Sequence, residues 1–144
     1  MPNTKPFVAA AVLCEKVLVD EEGVPSLIRV VDTYKIDLPK ELPAGTGAAA
    51  KFTAFFAIRS GDVVGKSELS IKLRNPDGKV VNIPQKWPVL LGGNEQGANL
   101  KLEFGLPIVY GLYWLDLYWN GDLLTSAPFR LGPMSPATPP TGAS

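Results

Sequence analysis

Histidine is absent from this chain of 144 residues. That absence alone removes Ser-His-Asp and Cys-His catalysis and nearly every zinc site. Cysteine occurs once, as Cys14, so no internal disulfide can form and a stapled secreted scaffold is disfavoured. Net charge is missing too. Fourteen Lys+Arg balance 14 Asp+Glu, leaving no global field to attract nucleic acid or an anionic membrane. No apolar run approaches the roughly 20 residues of a membrane span. Phe7 to Leu13 has the length of a secretory apolar core, and Leu13-Cys14 resembles the end of a lipobox. Cys14-Glu15-Lys16 follows in place of a small-residue cleavage site, however, and the apolar run is needed as a strand. These absences point to a cytoplasmic protein with no cofactor, no metal, no nucleic-acid partner and no membrane partner.

Glycine and proline are plentiful, at 14 each, and hydrophobic residues make up 46% of the chain. That much punctuation suits many short strands better than long helices. The length fits one domain, and such a domain buries roughly two-thirds of its extended surface. The expected organisation is an N-terminal extension over 1–6, a β-sandwich domain over 7–131, and a disordered proline-rich tail over 132–144.

Period-two alternation and turn signals place strands at Phe7–Val19, Ser26–Ile36, Lys51–Arg59, Ser67–Arg74, Lys79–Ile83, Ala98–Phe104, Gly111–Trp119 and Leu123–Leu131. Asp20-Glu21-Glu22-Gly23, Ser60-Gly61-Asp62, Asn75-Pro76-Asp77-Gly78 and Asn120-Gly121 read as turns, the last as a type I′ hairpin. Leu38–Gly47 and Pro84–Gly97 read as irregular connections. About eight short strands imply an all-β, two-sheet antiparallel sandwich, immunoglobulin-like or a related Greek key. Gly111-Leu112-Tyr113 has the form of a tyrosine corner, in which the phenol bonds back to upstream backbone. The alternative there is a plain core aromatic.

The opening pattern Leu13-Cys14-Glu15, Asp20-Glu21-Glu22-Gly23, Ser26-Leu27-Ile28 and Asp32 resembles that of a family of small, uncharacterised bacterial β-sandwich proteins. The Asn75-Pro76-Asp77-Gly78 hairpin, Gly111-x-Tyr113 and Asn120-Gly121 are similar as well. This resemblance covers residues 7–131 and implies a fold but no activity. It leaves Cys14 as a small buried side chain.

Catalytic groups do not assemble from the sequence. Asp20, Glu21 and Glu22 lack the ligand spacing of an EF-hand loop and read as a solvated turn. Glycoside hydrolysis would need a second carboxylate facing Asp116 across a cleft, and nothing in the sequence locates one.

The informative stretch is Gly111–Trp119. Tyr113, Leu115, Leu117 and Trp119 share one face; Trp114, Asp116 and Tyr118 share the other. If the first set is core, the second puts two large aromatics and a carboxylate on a sheet exterior. An immunoglobulin-like order would lay the Lys51–Arg59 strand alongside, adding Lys51, Phe55 and Arg59 to that exterior, while the last strand adds Ser126 and Arg130. Asp116 would then pair with Arg130, Arg59 or Lys51. Exposed aromatic faces mark interaction sites, and Trp, Tyr and Arg are frequent anchors. The expected role is a non-enzymatic protein-interaction or oligomerisation module, with another protein or a second copy as partner. The alternatives are a carbohydrate stacked on Trp114 and Tyr118, or a face covered by the chain's own Trp87 segment or tail.

Overall fold

A computed structural model describes residues 5–37 and 49–134. Nine strands follow in order: β1 (Phe7–Val19), β2 (Pro25–Val30), β3 (Thr33–Lys35), β4 (Ala49–Arg59), β5 (Val64–Arg74), β6 (Val80–Gly92), β7 (Gly97–Pro107), β8 (Gly111–Trp119) and β9 (Asp122–Gly132). They form two sheets, ordered β2-β1-β4-β7 and β3-β9-β8-β5-β6. The chain crosses between sheets at β2–β3, β3–β4, β4–β5, β6–β7 and β7–β8, the Greek-key habit of immunoglobulin-like sandwiches. All pairings are antiparallel except β3 with β9, which is parallel. The expected loop at 38–47 lies wholly outside the described residues, as do most of the N-terminal extension and the tail beyond 134.

Local chemistry explains the turns. Asp20 Oδ1 accepts the N–H groups of Glu22 (2.8 Å) and Val24 (2.9 Å), and Gly23 takes φ +81° to close the hairpin. The carboxylate of Asp20 is thereby committed to its own backbone. Gly78 donates to Asn75 O at 2.9 Å with φ +86°. Asn120 and Gly121 sit at φ +47° and +87°, the two positive angles that a type I′ turn requires.

Side chains that alternate inward meet in one core. Phe52, Phe56 and Ile58 of β4 and Leu100 and Leu102 of β7 pack against Leu69, Ile71 and Leu73 of β5, Tyr113, Leu115 and Leu117 of β8, and Phe129 and Leu131 of β9. Tyr113 stacks on Phe129 with centroids 5.0 Å apart. Its hydroxyl donates to Val109 O at 2.6 Å, so the tyrosine corner is formed. Burial pushes the Tyr113 phenol above its ordinary pKa.

Two strands differ from the sequence reading. The expected strand Ser26–Ile36 breaks into β2 and β3, which belong to different sheets. Arg29 at φ +49° interrupts the ladder; Val31 N–H then bonds Leu13 O (2.8 Å), while Arg130 N–H bonds Asp32 O (2.9 Å). The chain thus passes from β1 to β9 within two residues. The segment expected to be irregular after Ile83 is strand as far as Gly92, despite Pro84 and Pro88. β6 is a sheet edge, where a missing N–H leaves no ladder bond unmade.

Candidate interaction face

β8 is the middle strand of the five-stranded sheet, as its density of apolar residues suggests. Its neighbours are β9 and β5, with Tyr118 opposite Ser70, Asp116 opposite Lys72, and Trp114 opposite Arg74. Across β9, Asp116 lies opposite Ser126 and Leu112 opposite Arg130. The outer face therefore combines Trp114, Asp116 and Tyr118 with Lys72, Arg74, Ser126 and Arg130.

Three of the expected members belong elsewhere. Lys51, Phe55 and Arg59 are on β4, which pairs with β1 and β7 in the opposite sheet. Phe55 is only 5% exposed there. Their alternation is compatible with either sheet, and the immunoglobulin-like neighbour of β8 proves to be β5. The pairing of Asp116 is corrected with it: the partner is Arg74, not Arg130, Arg59 or Lys51.

Arg74 leans diagonally from its place opposite Trp114. Its Nε donates to Asp116 Oδ2 at 2.8 Å and its Nη2 to Oδ1 at 3.0 Å, a bidentate fork. Ser126 Oγ donates to Oδ1 as well. Asp116 is 5% exposed, because the neighbouring side chains close over it. The Arg74 guanidinium also lies 5.2 Å from the Trp114 ring, and Lys72 Nζ lies 4.8 Å from the Tyr118 ring. Each outward-facing aromatic of β8 is thus matched by a cation from β5, and both rings are half-buried. Trp87, expected as a possible cover, instead packs inward against the core.

By strand parity the outer face of this sheet carries six cations (Lys35, Lys66, Lys72, Arg74, Lys86 and Arg130) against the carboxylates Glu68 and Asp116, a net of four positive on a neutral chain. Lys86 is 3.6 Å from Glu68. Lys72 and Arg130 have no carboxylate within ion-pair distance among the described residues. Beside Tyr118 the face is dented. Between Ser70–Lys86 and Lys72–Asn82, β6 advances four residues for two on β5. The bulge leaves a hollow of about 420 Å³ lined by Ser70, Lys72, Asn82, Pro84, Lys86 and Tyr118.

Cys14 is 1% exposed, and burial raises its thiol pKa, as suits a packing residue. No cluster of three or more metal-ligating His, Cys, Asp or Glu occurs among the described residues. On the outer face Glu68 is four residues along β5 from the position opposite Asp116, about 13 Å at strand rise. No described helix is long and apolar enough to cross a membrane.

Sequence reasoning missed Lys72, Arg74 and the hollow. Its one available signal was the outward set Glu68, Ser70, Lys72 and Arg74, the cleanest alternation in the chain.

No protein-family model matches the chain, and neither does any curated protein. Solved structures of similar shape include the Pseudomonas fluorescens alkylpurine DNA glycosylase AlkC bound to DNA containing an abasic site analog (TM-score 0.49, 12% identity, covering 90% of this chain and 31% of that one). Another is a CARDB domain from Pyrococcus furiosus in complex with di-metal ions (TM-score 0.44, 12% identity, covering 89% and 96%). A third is β-glucosidase 3B from Thermotoga neapolitana in complex with glucose (TM-score 0.40, 14% identity, covering 60% and 15%). This chain spans about a third of the glycosylase and less of the glucosidase. Likenesses at this level concern strand arrangement and carry no activity to this chain.

Proposed function

We propose that the protein is a non-enzymatic interaction module that presents the outer face of its five-stranded sheet to an acidic protein surface. One observation carries this reading: a local excess of four positive charges surrounds two half-buried aromatics on a chain with no net charge. Arg, Trp and Tyr together are the usual composition of interface anchors. Asp116 is neutralised from within, so it holds Arg74 in place and leaves Lys72 and Arg130 to meet a partner's carboxylates. The hollow of about 420 Å³ beside Tyr118 gives a partner's side chains a place to insert. Protein is favoured over nucleic acid because the neutral chain lacks the long-range field that phosphate binding relies on. A cytoplasmic location, with Cys14 unpaired, and kinship with the small bacterial sandwich proteins sharing the opening motif belong to the same reading.

Sugar stacking on Trp114 and Tyr118 finds less support, since each ring already has a cation beside it. The test is a titration with a peptide alternating glutamate and tyrosine, alongside an oligonucleotide and an oligosaccharide. Saturable peptide binding that weakens with salt, and is lost in Trp114→Ala and in Lys72→Glu/Arg130→Glu, is the expected result. Binding of only the oligonucleotide or only the oligosaccharide, or peptide binding unchanged in both variants, would overturn the proposal.

A further inference from the structure

A sandwich has four sheet edges, and three of them here are blunted. β6 carries Pro84, Pro88 and the bulge opposite β5. β2 has only six residues and is distorted by Arg29 at φ +49°. β3 has three residues. Short strands, prolines, bulges and kinks are the devices that stop edges from pairing with other chains.

β7 is guarded least: it is neither short, bulged nor kinked, and its charges, Lys101 and Glu103, are of opposite sign. It runs 11 residues and matches β4 from Gly97–Arg59 to Pro107–Ala49 without a register break. Proline appears only at its last position, and no described strand pairs with its far side. Its inward side chains are all apolar: Ala98, Leu100, Leu102, Phe104 and Leu106. Phe104 and Leu106 are only partly buried, at the rim of the core, and Ala98 is partly buried as well. An inward-facing charge, another common guard, is lacking.

We infer that the free edge of β7 pairs antiparallel with β7 of a second copy, about a two-fold axis through Leu102. The sequence singles out that register. Full overlap places Gly97 opposite Pro107 of the second copy, which puts Leu102 opposite Leu102. In that register Lys101 of each copy lies opposite Glu103 of the other, twice by symmetry. A shift that centres the axis on Lys101 or on Glu103 sets like charges face to face. A one-residue slip turns the charged face toward the core side. Longest overlap, charge complementarity and facial alignment thus select one arrangement. Within one chain Lys101 and Glu103 are 3.3 Å apart and solvent-exposed, so both are available for exchange across the axis. The four-stranded sheets of the two copies become one eight-stranded sheet, and the partly exposed Phe104 and Leu106 extend a shared apolar face. The contact is isologous and closes as a dimer rather than growing into a fibre. It uses the sheet opposite the cationic face and leaves that face open.

Sedimentation velocity on the full chain tests this with exposed, fold-neutral variants. Wild type is expected to sediment as a dimer. Lys101→Glu alone and Glu103→Lys alone each set like charges opposite one another twice and are expected to weaken dimerisation about tenfold or more. An equimolar mixture of these two variants restores both opposite-charge pairs, so it is expected to form a heterodimer that neither forms with itself. The double variant Lys101→Glu/Glu103→Lys dimerises like wild type. A monomeric wild type overturns the inference. So do single variants that dimerise as tightly as wild type, or a mixture that stays monomeric.

Discussion

Replacing Arg74 by Met should cost more stability than removing the charge from its partner. In the folded protein Asp116 has a 7% exposed side chain, whereas that of Arg74 is 41% exposed. Arg74→Met keeps the aliphatic stem but leaves a carboxylate under the sheet face with Ser126 as its remaining hydrogen-bond partner. Stranding one member of a fully buried pair costs about 3–5 kcal/mol. Water already reaches the guanidinium here and can follow into its place, so about 2 kcal/mol is the appropriate figure. Asp116→Asn instead strands a group that is already hydrated and keeps an acceptor for Ser126, at about 1 kcal/mol or less. The double variant Arg74→Met/Asp116→Asn removes both charges and should be more stable than Arg74→Met alone, with a coupling of about 1 kcal/mol or more. Urea unfolding with an unchanged m-value measures all three. Loss of the cation near Trp114 enters the single and double variants equally and cancels in the cycle. Equal costs for the two single variants, or strict additivity in the double, would refute the account of Asp116 as a carboxylate held by Arg74.

The two core tyrosines should behave oppositely when the hydroxyl is removed. Tyr113→Phe deletes the 2.6 Å bond to Val109 O and should cost about 1–1.5 kcal/mol in urea unfolding. The Tyr34 hydroxyl is buried without a hydrogen-bond partner among the described residues, so Tyr34→Phe should be neutral or stabilising. Burial first, then the nearby Cys14 and Glu15, push the Tyr34 phenol up to about 12. Because the folded state favours the neutral form, that contribution is complete below the unfolded value near 10 and is lost as pH rises toward 12. Tyr34→Phe should therefore flatten the alkaline limb of the stability–pH curve, and an unchanged limb would count against this. Gly111 has φ +139°, and a Cβ built there would lie 2.6 Å from Pro76 Cβ. Gly111→Ala should cost about 2 kcal/mol or more by thermal unfolding, because both the backbone angle and the Asn75–Gly78 hairpin must yield.

What was legible in the sequence was local or periodic. Asn120-Gly121 and Asn75-Pro76-Asp77-Gly78 determine their own turns, and Tyr113 needs only Val109 four residues upstream to make its corner. Alternation alone separated Trp114, Asp116 and Tyr118 from the core set. Strand neighbours were not legible, because pairing in a sandwich is long-range: Phe55 alternates equally well in either sheet, and Arg74 reaches Asp116 across 42 positions of chain. Pro84 and Pro88 hid a strand, because the rule against proline in sheets lapses at an edge. The sheet change after β2 depends on a positive φ at Arg29, a residue whose type announces nothing of the kind.

The central claim is that the outer face of the five-stranded sheet is the binding face. Its most direct test is to follow backbone amide shifts of the isotope-labelled protein as the glutamate–tyrosine peptide is added. Shifts gathered on outward positions of β5, β8 and β9, with Lys72, Trp114, Tyr118 and Arg130 among them, are the predicted result. Shifts centred on Lys51, Phe55 and Arg59 of the opposite sheet, or no saturable shifts at all, would contradict it.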